Sequence, residues 1–308
     1  MKENFDIYSA PIQGFTDRVW RRAHHALFGG VDRYYSPFLR VERGEPRRRD
    51  LVDVLPENNA GVPLVPQLIA CPPDHAALLA RTLRDVGHSE VDINLGCPYA
   101  PMALHHKGSG MLQYPDELDA MVDALLAIDG VKYSVKMRLG WDDPTQWRGA
   151  LKALERLRPT QVTVHPRIGR QQYKGDLYLD EMDAAVDALA FTRVIYNGDL
   201  KTLDDVRHIA DRWPSLAGVM VGRGLIENPA MLSPGKVTPD NYRALHDAVF
   251  DEYARRMNGG DKQLVQKMRA FWEMYLPNAE RRYLKAIKKS TTLDRYLTAV
   301  NQLFSAGF

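Results

Sequence analysis

Val91-Asp92-Ile93-Asn94-Leu95-Gly96-Cys97-Pro98 reads as a buried strand running out into a loop, with a carboxamide and a thiol delivered at the exit. Seven more β-branched or aromatic runs resemble it, at 7–11, 33–38, 64–70, 133–139, 161–167, 193–198 and 217–223. Amphipathic stretches with helical spacing lie between many of them, at 73–86, 115–128 and 203–213. Strand and helix in alternation imply a parallel sheet, and eight repeats in roughly 230 residues fit the size of an α/β (β/α)8 TIM barrel. A doubly wound open sheet is the competing architecture. Against it, the first strand runs into Pro11-Ile12-Gln13-Gly14-Phe15-Thr16-Asp17 and not into a G-x-G-x-x-G turn, so the dinucleotide fingerprint is missing.

Beyond the eighth unit the chain changes character. Glu227-Asn228-Pro229 and Ser233-Pro234-Gly235 are rich in turn formers, and after Asp240 the pattern is helical, at 242–257, 263–275, 279–289 and 293–304. The reading is therefore a catalytic barrel over residues 1–237 and a small C-terminal helical bundle over 238–308. Charge follows the same division: residues 236–308 hold 13 Lys and Arg against 8 Asp and Glu, a net +5, which leaves −3 for the rest of a chain whose total is +2. Such a basic tail suits a polyanion, although a solvated helical surface explains it as well.

Composition bounds the rest. With 45% hydrophobic and 26% charged residues the 308-residue chain is that of a globular protein able to bury a large core. It has no run of about 18 apolar residues, and its start lacks the basic-then-apolar pattern of a secretory signal, so the expectation is a cytoplasmic protein with no membrane contact. Two cysteines, Cys71 and Cys97, make neither a disulfide framework nor a metal-ligand spacing, and no metal is expected. A monomer is expected.

In a barrel of this type the C-terminal strand ends share one pocket. Here they carry Gln67, Asn94, Lys136, His165, Asn197 and Arg223. Asn197-Gly198-Asp199 and Gly222-Arg223-Gly224 end the seventh and eighth strands, where glycine-exposed backbone N–H groups and a forked guanidinium suit a phosphate. Lys136 lies inside an apolar strand and needs an anionic partner, either a carboxylate such as Asp92, a bound anion, or conversion to a Schiff base. Gln67 and His165 suit a flat heterocycle with alternating carbonyl and N–H groups. Near neutral pH the Cys97 thiol is mostly protonated and can give a proton to carbon; Cys71 reads as structural.

These residues, in this order and spacing, resemble the dihydrouridine synthase family, flavin enzymes that reduce uridine in tRNA. The resemblance rests on Ala10-Pro11-Ile12 with Thr16-Asp17, Gln67-Leu68, the stretch from Asp92 to Pro98, Val135-Lys136-Met137-Arg138-Leu139-Gly140-Trp141, His165-Pro166-Arg167, Asn197-Gly198-Asp199 and Val221-Gly222-Arg223-Gly224. It implies FMN as cofactor, wrapped by the backbone of Pro11, Ile12 and Gln13, bonded by Gln67, Lys136 and His165, and held by its phosphate at Asn197, Gly198, Asp199, Gly222 and Arg223. It implies Asn94, Arg138 and Arg167 on the substrate side, NADPH as electron donor in a ping-pong cycle, and Cys97 as the acid that protonates C5 of a uracil whose C6 receives hydride. Candidate phosphate contacts in the tail are Lys262, Lys267, Arg269, Arg281, Arg282, Lys285, Lys288, Lys289 and Arg295, with Trp272 and Tyr275 as either core or base-stacking residues. The chain departs from the family pattern at Ala100, where a basic residue is usual. The competing functions are a small-molecule FMN reductase of the dihydroorotate type, an rRNA uridine reductase, a Schiff-base aldolase and a non-catalytic RNA-binding barrel.

Overall fold

The computed structural model describes residues 5–307; residues 1–4, on which the reading of the chain's start rests, and 308 lie outside it. Eight parallel strands form the sheet. They are β1 (Asp6–Ser9), β2 (Arg33–Tyr35), β3 (two segments, Leu64–Val65 and Gln67–Leu68), β4 (Glu90–Leu95), β5 (Lys132–Gly140), β6 (Gln161–Ile168), β7 (Arg193–Tyr196) and β8 (Gly218–Val221). The two segments of β3 stand at opposite ends of the sheet order, one paired with β2 and the other with β4. Because they are one stretch of chain interrupted at Pro66, the sheet closes on itself into a barrel. Pro66 has no N–H to give to the ladder, which accounts for the break, yet its carbonyl still accepts from the Asp92 N–H at 2.8 Å.

Strands covered on both faces read as apolar runs, and β6 is buried along its whole length. The larger core cluster lies between strands and surrounding helices, including Ile93, Val135, Met137, Val162 and Val164. A smaller one of Tyr8, Ala10, Tyr35, Val65, Ile195 and Met220 fills the lumen, where Gln161 Nε2 donates to Tyr35 Oη at 2.7 Å. The period of two then sets what stands above it: the lumen turns from apolar to polar toward the C-terminal strand ends through Asp92, Asn94, Lys136, His165 and Asn197.

Four helices complete the fold, Pro239–Arg256, Gly260–Phe271, Arg281–Lys289 and Leu293–Ala306. Trp272 and Tyr275 are core residues here, 1% and 0% exposed, with Trp272 Nε1 donating to Tyr296 Oη and Tyr275 Oη donating to the Tyr242 carbonyl. They present no face to a nucleobase. The helices are seated on the turn after β1: Tyr253 Oη donates to Asp17 Oδ2 at 2.6 Å, Lys267 Nζ donates to the Gly14 carbonyl at 3.2 Å, and Lys267 pairs with Asp17 at 3.6 Å. Asp17 meanwhile caps the Arg18–Leu27 helix. Lys267 is thus spent on the turn after β1 and is not a free phosphate contact. Among the described residues no helix is long and apolar enough to cross a membrane, and no group of three or more His, Cys, Asp or Glu is placed to hold a metal.

Candidate active site

The C-terminal strand ends surround one cavity. Pro11, Ile12, Gln13, Gln67, Asn94, Cys97, Lys136, Arg138, His165, Asn197, Gly198, Asp199, Gly222 and Arg223 all line it. Arg167 does not. Its guanidinium lies behind the wall, 3% exposed, forked onto Asp199 at 2.9 and 2.5 Å and onto the Gly175 carbonyl. Asp199 also accepts from Arg223 at 3.1 Å, so a carboxylate held below its ordinary pKa by Arg167 positions the guanidinium that faces the cavity.

A hydrogen-bond chain organises the floor of the site. Ser134 Oγ and Gln67 Nε2 donate to the two oxygens of Asp92 at 2.6 and 2.7 Å, Asn94 Nδ2 donates to Gln67 Oε1 at 2.7 Å, and Asn94 Oδ1 accepts the backbone N–H groups of Gly96 and Cys97 at 3.0 and 2.8 Å. Asn94 therefore shapes the turn that carries Cys97, which leaves one amide hydrogen for a ligand. Asp92 is fully buried, and burial raises its carboxyl to about 6.

Lys136 stands beside Asn94 in register. Nζ donates to Asn197 Oδ1 at 2.8 Å, and Asn197 Nδ2 donates on to the Met220 carbonyl at 2.7 Å. Among the described residues Lys136 makes no ion pair; Asp92 acts on it only through space. Burial pulls its pKa down to about 8, with Arg138 pushing the same way. An ammonium this poorly compensated, in a cavity, is a strong donor for an anion. His165 is neutral at physiological pH, since burial and the nearby guanidinium and ammonium groups hold it well below its usual range. Burial raises the Cys97 thiol, while the Tyr99 backbone N–H, Arg138 and Lys136 pull it back, so the thiol enters neutral solution protonated. Cys71 lies outside the cavity, its thiol 3.5 Å from Glu117.

The structure adds residues that periodicity did not expose. Tyr173, in the loop after β6, lines the mouth with its ring under Arg223 (4.5 Å) and Arg138 (5.5 Å), and Lys201, Pro37 and Phe38 line it as well. Tyr173 follows a positive-φ Gln172 in an irregular segment, where neither the strand nor the helix period applies.

The model of the dihydrouridine synthase family matches residues 8–305. Among similar proteins, tRNA-dihydrouridine synthase B of Pasteurella multocida is 28% identical over 226 residues, covering 72% of this chain and 66% of that one. A probable tRNA-dihydrouridine synthase of Staphylococcus epidermidis is 26% identical over 299 residues, covering 90% and 88%. Solved structures share the fold: morphinone reductase superposes with a TM-score of 0.53 at 12% identity, over 74% of this chain and 84% of that one, and an old yellow enzyme homologue from Zymomonas mobilis with 0.53 at 13%, over 73% and 86%. Since the family's pattern runs from β1 to the last helix, through every strand end that borders the cavity, this chain belongs to the dihydrouridine synthase family.

Proposed function

We propose that the protein is an FMN-dependent, NADPH-driven tRNA-dihydrouridine synthase, with the barrel of residues 1–237 holding the flavin and the helices of 238–308 meeting RNA. The observation that carries this is the pairing of Lys136 and Cys97 across neighbouring strand ends in one cavity, an under-compensated cation beside a protonated thiol, in a chain of this family. When bound, the flavin supplies the hydride that adds to C6 of the uracil.

The donor set fits that group. Lys136 and Gln67 offer a cation and an amide to its polar edge, and the neutral His165 adds a ring nitrogen. Gly198, Gly222 and Arg223 suit its phosphate, with Asn197 and Asp199 bonded to Lys136 and Arg223 beside them, and Pro11, Ile12 and Gln13 line the cavity next to Gly222. Cys97 holds a proton at Sγ for C5, so hydride and proton together convert the C5–C6 double bond to a single bond. Asn94 fixes the turn that carries Sγ, and Arg138, which burial lowers only to about 10 and so leaves charged, lines the same cavity and would bond a uracil carbonyl.

The test is an anaerobic absorbance trace of the purified protein, reduced with NADPH and then mixed with tRNA lacking dihydrouridine. The expected result is a flavin spectrum that bleaches and returns only with tRNA. Bleaching without return on tRNA would move the target to a small-molecule oxidant or another RNA, and a colourless protein would end the flavin reading.

A further inference from the structure

The loop that carries Cys97 ends in an exposed apolar tip. Tyr99 is 62% and Leu104 73% exposed, the two largest values among the exposed large hydrophobic side chains of the described residues, and they flank the short Ala100–Ala103 helix. From Ile93 to Leu104 the chain has no charged residue. Elsewhere the mouth of the cavity carries Arg138, Arg223 and Lys201.

A tip of this kind on a mobile loop would be unremarkable surface, but this one is braced from several sides. Ser109 donates both its N–H and its hydroxyl to the Cys97 carbonyl, at 3.2 and 2.9 Å. The Tyr99 carbonyl accepts from Met102 and Ala103, and the Met102 carbonyl accepts from Lys107. His106 bonds Glu117 and stacks on Tyr114 at 3.6 Å. Glycine is required beneath: a Cβ at Gly108 would come within 2.7 Å of Cys97 Cβ, and one at Gly110 within 2.3 Å of the Ala103 carbonyl oxygen. The fold thus fixes the backbone that presents Tyr99 and Leu104 to water, two and seven residues from the thiol.

We infer that Tyr99 and Leu104 form a wedge that enters the RNA base stack beside the target nucleotide and fills the gap it leaves. This rests on the proposed RNA-reductase reading. A uracil stacked among its neighbours cannot reach the Cys97 thiol in the cavity, so it must be turned out, and the vacated stack then favours an apolar or aromatic insert. The charge pattern selects the occupant. The exposed Lys201 at the mouth suits a phosphate, while the tip has no charge to hold one and offers a ring face and a branched alkyl group to a base.

The experiment follows tRNA-dependent flavin reoxidation at limiting and saturating tRNA in the wild type, Tyr99→Ala, Leu104→Ser and Tyr99→Phe. The ring should be worth about tenfold in rate on tRNA, by the usual worth of a base–aromatic stack. Tyr99→Ala and Leu104→Ser are expected to slow reoxidation by about that factor and Tyr99→Phe to retain it. Flavin content and the NADPH half-reaction should be unchanged in all three, because neither side chain borders the cavity. Wild-type rates in Tyr99→Ala, equal losses in the Ala and Phe variants, or a slowed NADPH step would each overturn the wedge. A wild-type dimer that Leu104→Ser dissolves would overturn it too, by assigning the tip to a second copy. A wild type whose flavin tRNA fails to reoxidise would instead sink the reductase reading beneath it.

Discussion

In the proposed reaction the property of Cys97 that matters is its proton. The thiol's pKa lies above its ordinary value because burial disfavours the thiolate more than Tyr99 N–H, Arg138 and Lys136 stabilise it. A group that acts as an acid works while protonated, so turnover on tRNA should stay level through neutral pH and fall as pH rises toward the thiol's pKa. A thiolate nucleophile would give the opposite slope. Cys97→Ala should keep flavin and its reduction by NADPH while turnover on tRNA drops by roughly a hundredfold or more; turnover that rises with pH, or survives in the variant, would remove Cys97 as the acid. Asn94, Lys136, His165 and Asn197 were legible in the sequence because a strand's period of two forces each of them to the lumen at a strand end. Arg167 obeys the same period, yet its pairing with Asp199 turns it away from the cavity, and that partner arrives from another strand. Tyr173 was illegible because a loop has no period.

Among elements, the turn after β1 links the cavity to the C-terminal helices. Ile12 N–H donates to Thr16 Oγ1 at 2.8 Å, which closes the turn from within, and Lys267 and Tyr253 hold it from outside. A hydrogen bond from a charged group contributes about 1.5–3 kcal/mol, less at a half-exposed site. Lys267→Met is therefore expected to weaken FMN binding several-fold in titrations of the apoprotein, with Lys267→Arg close to wild type. A fall in melting temperature with FMN affinity unchanged would make the contact merely structural. The eight strands and the tail helices could be read from composition and spacing, since parallel strands and amphipathic helices carry strong local patterns. The seating of Lys267 could not, because an exposed lysine at helical spacing looks the same whether it meets solvent or a carbonyl 253 positions away.

For the whole molecule, charge is divided between a basic tail and a slightly acidic remainder. Arg282 pairs with Glu280 at 2.8 Å, whereas Arg281, Lys285 and Lys289 are exposed and remain available to phosphates. If they carry RNA binding while the uncharged tip and the cavity carry the later steps, salt should separate the two. Raising salt from about 50 to 200 mM is expected to raise the KM for tRNA by at least about tenfold. At saturating tRNA, kcat should change by less than about twofold. A kcat that falls in parallel with binding would place the cations in the chemical step.

The apolar plug formed by Tyr8, Tyr35, Val65, Ile195 and Met220 closes the lumen beneath the cavity. The cavity is consequently closed on that side and opens at the C-terminal strand ends. In the proposed reaction an electron donor would have to back out by the mouth it entered before a nucleotide could follow, and a bulky RNA standing there would be its own stopper, keeping bulk water and oxygen out for as long as it stays. On that reading the last wall of the reaction vessel would be supplied by the substrate.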